Sequence, residues 1–451
     1  MSEVAERWGS RRAFIMAMTG AAVGLGNIWR FPYMTGENGG AAFLMLYVMF
    51  VLILGLPVMM AEIAVGRAGR RTPMQALSHL AVNNQRSPHW RWIGLMGAVT
   101  VFFILSFYSV VSGWSLEYLF DSVTGRFAGQ SGAVIGQSFE GFLADPFRVI
   151  FNHTVFMLMT MTVVAAGIGG GLEKLNNVLM PLLYIVLFVL VGYGATASGF
   201  QDALAWLFTP NLSVITTSVV LNAMGHAFFT LAIGACALMA YGAYMPEHQS
   251  LPKAVLTVAV LDILVALLSG IAIFSVVFSQ GMDPASGPGL MFVTLPIAFA
   301  DLPGGSLWLG AFFLLLAMAT WTSSINLAEP MVAMVKSDRM SRSQAAMLVG
   351  GGVWLVGLPS ALSFSTLKSW YLWGDGNFFD VVTTVPTDIF LPLGGALIAV
   401  FAVWVMDRDE VFKALGGSNA LCQTWLWLTR WVSIPLVVVV LMAPLIKSWL
   451  T

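Results

Sequence analysis

Charge is the first thing this chain lacks: Asp, Glu, Lys and Arg together supply only 10% of its residues, whereas 58% are hydrophobic. Soluble domains carry about 25% charged residues, so most of this chain is not built to face water. The charges that remain nearly cancel, to a formal net charge of −1, which argues against a nucleic-acid partner. Cysteine occurs twice, at Cys236 and Cys422, both inside apolar runs. That excludes a disulfide framework. No dispersed His/Asp/Cys cluster and no nucleophile–base arrangement is visible, which disfavours a membrane enzyme. Low-complexity segments and soluble modules are absent too, so residues 1–451 read as one membrane domain.

What the chain does have is hydrophobic sequence in runs long enough to cross a hydrocarbon core of about 30 Å. About eleven can be drawn, at 11–37, 41–69, 90–123, 148–168, 174–197, 212–245, 252–280, 304–336, 342–364, 378–406 and 423–447. They predict an all-α, multi-pass protein in the lipid bilayer. The apolar run behind Arg7, Arg11 and Arg12 is too long for a signal peptide and reads as a retained helix. With the N-terminus in the cytoplasm, the inner loops gather Arg67, Arg70, Arg71, Arg86, Arg91, Lys174, Lys253, Lys336, Arg339, Arg342, Arg408 and Lys413. The outer loops keep little beyond Arg126, Arg148 and Lys368. That asymmetry obeys the positive-inside rule and predicts the inner (cytoplasmic) membrane with a cytoplasmic N-terminus. Among the outer loops, 125–147 is the longest. The loop at 281–303 is bent by Asp283-Pro284 and Gly287-Pro288-Gly289 and is expected to cap an opening.

The first run is flawed in its middle. Residues 20–33 carry Gly20, Gly24 and Gly26, then Asn27 and Arg30. Irregular backbone survives at membrane depth only beside protein or a water-filled cavity, and an Arg there marks a substrate or ion pathway. The sixth run repeats the pattern over Gly225, His226, Thr230, Gly234 and Cys236. Runs one and six are equivalent members of two five-helix halves, about 11–197 and 212–406, with an eleventh helix at about 423–447. Paired interruptions in corresponding positions point to a secondary transporter built from inverted repeats. Half-helix N-termini suit a carboxylate, and freed carbonyls suit a sodium ion. Glycines serving only close helix packing are the competing explanation for either segment alone.

The string Gly24-Leu25-Gly26-Asn27-Ile28-Trp29-Arg30-Phe31-Pro32-Tyr33, followed by Glu37-Asn38-Gly39-Gly40, closely resembles the first helix of the neurotransmitter:sodium symporter family. The likeness continues through Gly55-Leu56-Pro57, Glu62, Gly66-Arg67, Phe228-Phe229-Thr230-Leu231, Thr322-Ser323-Ser324 and Leu391-Pro392-Leu393-Gly394-Gly395, and so covers essentially the whole chain. The resemblance implies two sodium sites. One takes the Ala22 carbonyl, Asn27, Thr230 and Asp262, with the substrate carboxylate able to complete the shell. The other takes carbonyls of Gly20, Val23 and Ala319 with the hydroxyls of Thr322 and Ser323. Oxygen donors suit a hard cation, although Thr and Ser in membrane helices commonly bond back to a preceding carbonyl. Some relatives bind chloride near the first sodium. Here Tyr47 and Thr230 match that region, His226 and Ala266 depart from it, and Asp262 already supplies a negative charge, so no chloride requirement is expected.

Monoamine carriers of the family hold an Asp where this chain has Gly24. The resemblance therefore implies a substrate that brings its own carboxylate, received by the Leu25 and Gly26 amides, the Tyr108 hydroxyl and sodium. Its other end would meet Ile104, Phe229, Ala232, Ile233, Ala235, Ser323, Asn326 and Leu327. Ala235 stands where relatives often have a bulky aromatic residue, which leaves room for a larger group. Asn326 either bonds a polar substrate tail or makes a structural interhelix bond. His226 is either a satisfied buried histidine or a substrate or proton-coupling group.

The gates depart from the family pattern. Arg30 would sit above the substrate and pair with an acid of the tenth run. Counting back from Leu391-Pro392 places Thr383 there, with Asp380 one turn away. Either Asp380 supplies the pair or Arg30 is partly free for the substrate. Phe229 and Tyr108 should form the lid beneath. At the inner gate Trp8 and Tyr244 match, Ala5 and Ser337 replace the usual pair, and Arg7 and Asp338 are the substitutes, Arg7 also being explicable as a positive-inside anchor. Glu62 would cap the broken sixth helix.

The reading is a sodium-coupled symporter importing a small carboxylate-bearing compound by alternating access, first a neutral aromatic or branched amino acid. Alternatives are an amino-acid-like carboxylate (a heteroaromatic acetate, a betaine or an omega-amino acid) held partly by Arg30, or a proton-coupled carrier using Asp262 and His226. A two-gated buried site disfavours a channel. The sequence leaves the oligomeric state open.

Overall fold

A computed structural model describes residues 8, 10–246, 249–300, 302–374 and 376–450. Without water to satisfy the backbone, apolar runs of this length pair their N–H and C=O groups internally as helices. Among the described residues, nine continuous helices are long and apolar enough to cross a membrane. They are span 2 (Ala41–Gly69), span 3 (Pro88–Val123), span 4 (Pro146–Ala165), span 5 (Ile168–Gly194) and span 7 (Leu251–Ser279). Span 8 (Gly305–Val335), span 9 (Arg342–Leu362), span 10 (Phe378–Val405) and span 11 (Asn419–Ala443) complete them. Spans 1 and 6 are the interrupted crossings. Span 1 comprises Arg11–Ala22, a π-helical turn at Gly26–Arg30, and Phe31–Glu37. Span 6 comprises Thr217–Thr230 and Ala237–Ala243.

Hydropathy alone does not say which helices sit at the centre; packing does. In span 8, 78% of the most apolar window is buried, and in span 11 only 22%, so span 8 is central and span 11 lies on the rim. Short helices that the membrane pattern did not predict fill the connections: Pro73–Asn83, Gly132–Leu143, Phe200–Phe208, Thr294–Ala300 and Arg408–Leu415. We call the face bearing the 125–147 and 281–303 loops the outer face, following the charge distribution. There Phe139 of Gly132–Leu143 stacks on Phe292 at 5.3 Å and meets Trp114 edge-on at 5.7 Å, which ties the two loops to span 3.

Span 1 breaks because two backbone donors leave the helix. Val23 is extended (φ −74, ψ 111) and its N–H closes the last turn on the Thr19 carbonyl at 2.7 Å. The next N–H groups go elsewhere: Gly24 donates to Asn27 Oδ1 at 3.1 Å and Leu25 to the Tyr108 hydroxyl at 3.2 Å. The carbonyls of Gly20 and Ala21 thereby lose their helical donors.

Span 6 breaks at Ala232, Gly234 and Cys236, whose φ angles are 51, 90 and 59. Two of these carry a Cβ, and a left-handed conformation costs such a residue about 1–2 kcal/mol, so the surroundings must enforce it. Glu62, fully buried in span 2, does so. Its Oε2 accepts from the Gly234 N–H at 2.8 Å, and its Oε1 accepts from Leu238 at 3.1 Å and Met239 at 3.4 Å. Gly234 is required twice over: by its φ, and because a Cβ there would collide with the Leu391 carbonyl and stand 2.7 Å from the Gly395 nitrogen of span 10.

Candidate functional site

Between the two breaks lies a pocket with about 30 Å³ of free volume, lined by Ala21, Ala22, Gly24, Leu25, Gly26, Ile104, Tyr108, Phe229, Thr230, Ala232, Ala235, Ser323, Leu327 and Leu391. The break in span 1 places backbone N–H groups and Tyr108 at one end. Apolar side chains from spans 3, 6, 8 and 10 form the other. Ten of the residues expected to hold substrate are brought together here: Ala22, Leu25, Gly26, Ile104, Tyr108, Phe229, Ala232, Ala235, Ser323 and Leu327. Leu391 was missed. Only its fold-level approach to Gly234 puts it there, and a hydrophobic residue before a proline carries no such signal. At Gly24 a Cβ would collide with the Tyr108 hydroxyl and lie 2.9 Å from Ser323 Cβ, so a side chain there would have to displace both.

Asn326 is not in the pocket lining, and of its two expected roles the structural interhelix bond is the one it makes. Its amide is used completely. Nδ2 donates to Asn176 Oδ1 at 3.0 Å and to the Thr322 carbonyl at 2.8 Å. Oδ1 accepts from Asn176 Nδ2 at 3.2 Å and from the Tyr241 hydroxyl at 2.7 Å. A primary amide has two donors and two acceptor sites, so none is left for a ligand. Ile233 is buried outside the pocket lining as well.

Next to the pocket, an amide and two hydroxyls converge on Asp262 of span 7. Asn27 Nδ2 donates to its Oδ1 at 2.7 Å, the Thr230 hydroxyl reaches both carboxylate oxygens at 3.1 Å, and the Tyr47 hydroxyl meets Oδ2 at 3.0 Å. Asp262 is fully buried, and these partners are all neutral. A buried carboxylate without a cationic partner is costly, and the Asp262, Thr230 and Tyr47 oxygens are donors of the kind a hard cation takes, while Asn27 turns its nitrogen to Asp262 and Thr230 and its Oδ1 to the Gly24 N–H. On the other side of span 1, the Ser323 hydroxyl donates to the freed Ala21 carbonyl at 3.2 Å. The Thr322 hydroxyl turns back on Met318 and Ala319, 3.0 Å from each carbonyl. Span 8 thus meets a freed span 1 carbonyl through Ser323, while Thr322 bonds within its own helix. His226 stands behind the Asp262 cluster in a cage of Tyr47, Phe43 and Phe31, with ring centroids at 5.0, 5.8 and 5.9 Å. Neither of its ring nitrogens has a hydrogen-bond partner among the described residues, so it is not the satisfied histidine of the bland expectation.

Above the pocket opens a vestibule of about 420 Å³ whose lining includes Trp29, Arg30, Tyr33, Trp114, Phe229, Phe379, Asp380, Thr383 and Asp388. Phe229 lines both cavities, so its ring is the partition between them. Tyr108 belongs to the pocket alone. The carboxylate facing Arg30 is Asp388, at 3.7 Å, and this corrects the expectation that Asp380 pairs with it. Asp380 is committed to the start of span 10, where its Oδ2 accepts from the Asn377 N–H at 3.0 Å in a reciprocal cap. The wide π-turn at Val385–Phe390 then breaks the ordinary helical count and carries Asp388 to the mouth of the pocket.

On the inner side Trp8 is buried and stacks on Tyr241 (5.5 Å, 16°), three residues before the expected Tyr244, which ends the same helix. Arg7 lies outside the described residues. Asp338 sits exposed at the tip of the turn between Ser337 and Met340. A buried pair that sequence spacing did not single out, Glu329 with Arg342, joins spans 8 and 9 nearby.

Comparison with known proteins gives one answer. The Sodium:neurotransmitter symporter family model matches residues 5–138 and 139–447. An uncharacterized sodium-dependent transporter of Bacillus subtilis (strain 168), YhdH, is 34% identical over 445 residues, covering 98% of this chain and 97% of its own. The sodium-dependent serotonin transporter of Drosophila melanogaster is 27% identical over 94% of this chain and 74% of its own. The crystal structure of MhsT in complex with L-phenylalanine is similar to this one with a TM-score of 0.89 and 39% identity, covering 97% of this chain and 99% of that one. These relatives are transporters, not enzymes. The chain therefore belongs to the sodium:neurotransmitter symporter family and is a sodium-dependent symporter with a five-plus-five inverted-repeat fold, broken at helices 1 and 6.

Proposed function

We propose that this symporter imports a neutral amino acid with an aromatic or branched side chain across the inner membrane, N-terminus in the cytoplasm, by alternating access. The observation that carries the reading is the asymmetry of the pocket. Leu25, Gly26 and the Tyr108 hydroxyl form a polar end at the span 1 break, and Ile104, Phe229, Ala232, Ala235, Leu327 and Leu391 form an apolar end opposite. A carboxylate suits the first and a hydrophobic side chain the second, while Gly24 leaves no anchor for a substrate that is an amine alone. MhsT, similar over nearly the whole chain, binds L-phenylalanine.

Two sodium ions accompany the substrate in this reading, one at Ala22, Asn27, Thr230 and Asp262, the other at Gly20, Val23, Ala319, Thr322 and Ser323. At about 100 mV each entering sodium supplies roughly 2.3 kcal/mol before its concentration gradient. The Asp262 carboxylate beside Tyr47 and Thr230 fills the role of a bound anion, so transport does not need chloride. The test is uptake of labelled amino acids into proteoliposomes. Uptake should require sodium and survive replacement of chloride by gluconate; equal uptake in potassium would sink the reading.

A second reading has two observations at Arg30 in its favour. The Arg30 Nε is buried without a hydrogen-bond partner, and its ion pair with Asp388 is long at 3.7 Å. Arg30 is then available to a displaced or purely anionic carboxylate, such as a heteroaromatic acetate. Competition of such acids with the amino acid in the same uptake assay decides between the two.

A further inference from the structure

We propose that Asn176, Asn326 and Tyr241 form the latch that holds the inner side of the pocket shut, with the first half of span 1 clamped on it through Gly20. The inference rests on the alternating-access reading above and names the residues that govern inward opening. Four elements meet at one buried amide. Asn326 of span 8 and Asn176 of span 5 exchange two hydrogen bonds, at 3.0 and 3.2 Å. Tyr241, from the second half of span 6, donates to Asn326 Oδ1 at 2.7 Å and to its carbonyl at 3.0 Å. Trp8 covers the Tyr241 ring from the segment preceding span 1. At Gly20 a Cβ would stand 2.6 Å from Asn176 Oδ1 and 2.8 Å from Asn326 Nδ2, so span 1 is seated directly on the amide pair.

The polarity of this cluster separates a latch from ordinary packing. Both amides are fully buried, and apolar residues of the same shape would hold a permanent contact at least as well. An amide pair has the opposite merit: when the helices part, each amide exchanges its partner for water at little net change, whereas parted apolar faces would be stranded in it. The cluster is also tied to the proposed second sodium site, because Asn326 Nδ2 holds the Thr322 carbonyl at 2.8 Å while the Thr322 hydroxyl belongs to that site. Sodium drawing span 1 onto span 8 closes the latch, and a closed latch improves sodium binding by the same factor. Ala5 and Ser337 stand where the family has its usual charged pair at the inner gate, and the amides add an uncharged contact on that side.

The test uses the intact protein in detergent, reading hydrogen exchange over residues 11–22 and 237–243 in sodium and in potassium, for wild type, Asn326→Leu, Asn176→Leu and Tyr241→Phe. Tyr241→Phe removes one hydroxyl and keeps the stack on Trp8, so it guards against a folding defect in the other two. Exchange in potassium should quicken in all three variants, and half-protection should need about fivefold more sodium, the factor one lost hydrogen bond is worth. The order in which amino acids compete for uptake should not change. Wild-type exchange and sodium dependence in the three variants would overturn the latch. So would an altered order of competing amino acids with unaltered exchange, which would return Asn326 to the substrate. No sodium effect in the wild type would sink the symport reading instead, and the potassium comparison would still decide the latch.

Discussion

The Arg30 guanidinium stands 3.7 Å from the Asp388 carboxylate and 4.5 Å above the Phe229 ring, so the ion pair and the aromatic partition close the pocket as one unit. Asp388 is 45% exposed, and such pairs contribute only about 0.2–1 kcal/mol. Asp388→Asn should therefore weaken substrate affinity by at most about fivefold. Asp380→Asn should leave affinity unchanged. Saturation binding on both variants checks the assignment, and a larger loss for Asp380→Asn would reverse it.

At Gly24 a side chain would have to displace its neighbours: a Cβ would collide with the Tyr108 hydroxyl that the Leu25 N–H bonds. Gly24→Ala and Gly24→Asp should each lower uptake at least tenfold, about 1.4 kcal/mol. Uptake normalised to monodisperse protein in the membrane is the measurement. Activity in Gly24→Asp together with new transport of simple amines would show that the position is more open than described.

Asp262 is a buried carboxylate with neutral partners, and in the proposed first sodium site its charge would be matched by the ion. Asp262→Asn keeps the shape but removes that charge. The apparent sodium affinity should fall about tenfold or more, with the substrate following because the two are coupled. Sodium titration of substrate binding checks this. Unchanged sodium affinity with lost pH dependence would point to a proton instead.

Glu62 accepts three backbone N–H groups with two carboxylate oxygens. Glu62→Gln turns one oxygen into a donor facing donors, leaving at least one buried N–H unsatisfied at about 1–3 kcal/mol. The variant should unfold at lower temperature in detergent and bind substrate more weakly. Full stability in a thermal-shift assay would mean that the break in span 6 holds itself.

The break in span 1 was legible in the sequence because glycines, an amide and an arginine in mid-membrane contradict their surroundings. The Glu62 cap was legible only through the family likeness. What stayed hidden had long-range or geometric causes. Asn326 finds its partner 150 residues away, and no local pattern distinguishes an amide meeting another amide from one meeting a ligand. Asp388 was missed because a π-turn changes the helical count, and because Asp380, the nearer acid by that count, was already spent on a cap. The loop helix Gly132–Leu143 earned no notice because it covers the bundle without crossing it.

Glu62 has one more effect. By occupying the N–H groups of Leu238 and Met239 it neutralises the positive end of the second half of span 6. Two broken helices would otherwise offer the substrate two rival ends for its carboxylate. With one of them filled from within, the proposed amino acid would enter in a single orientation, carboxylate to span 1 and side chain to Ala232 and Ala235. A ligand held in one orientation against unlike walls is read for handedness: the mirror image must either swap its amine with its side chain or lift its carboxylate away from span 1.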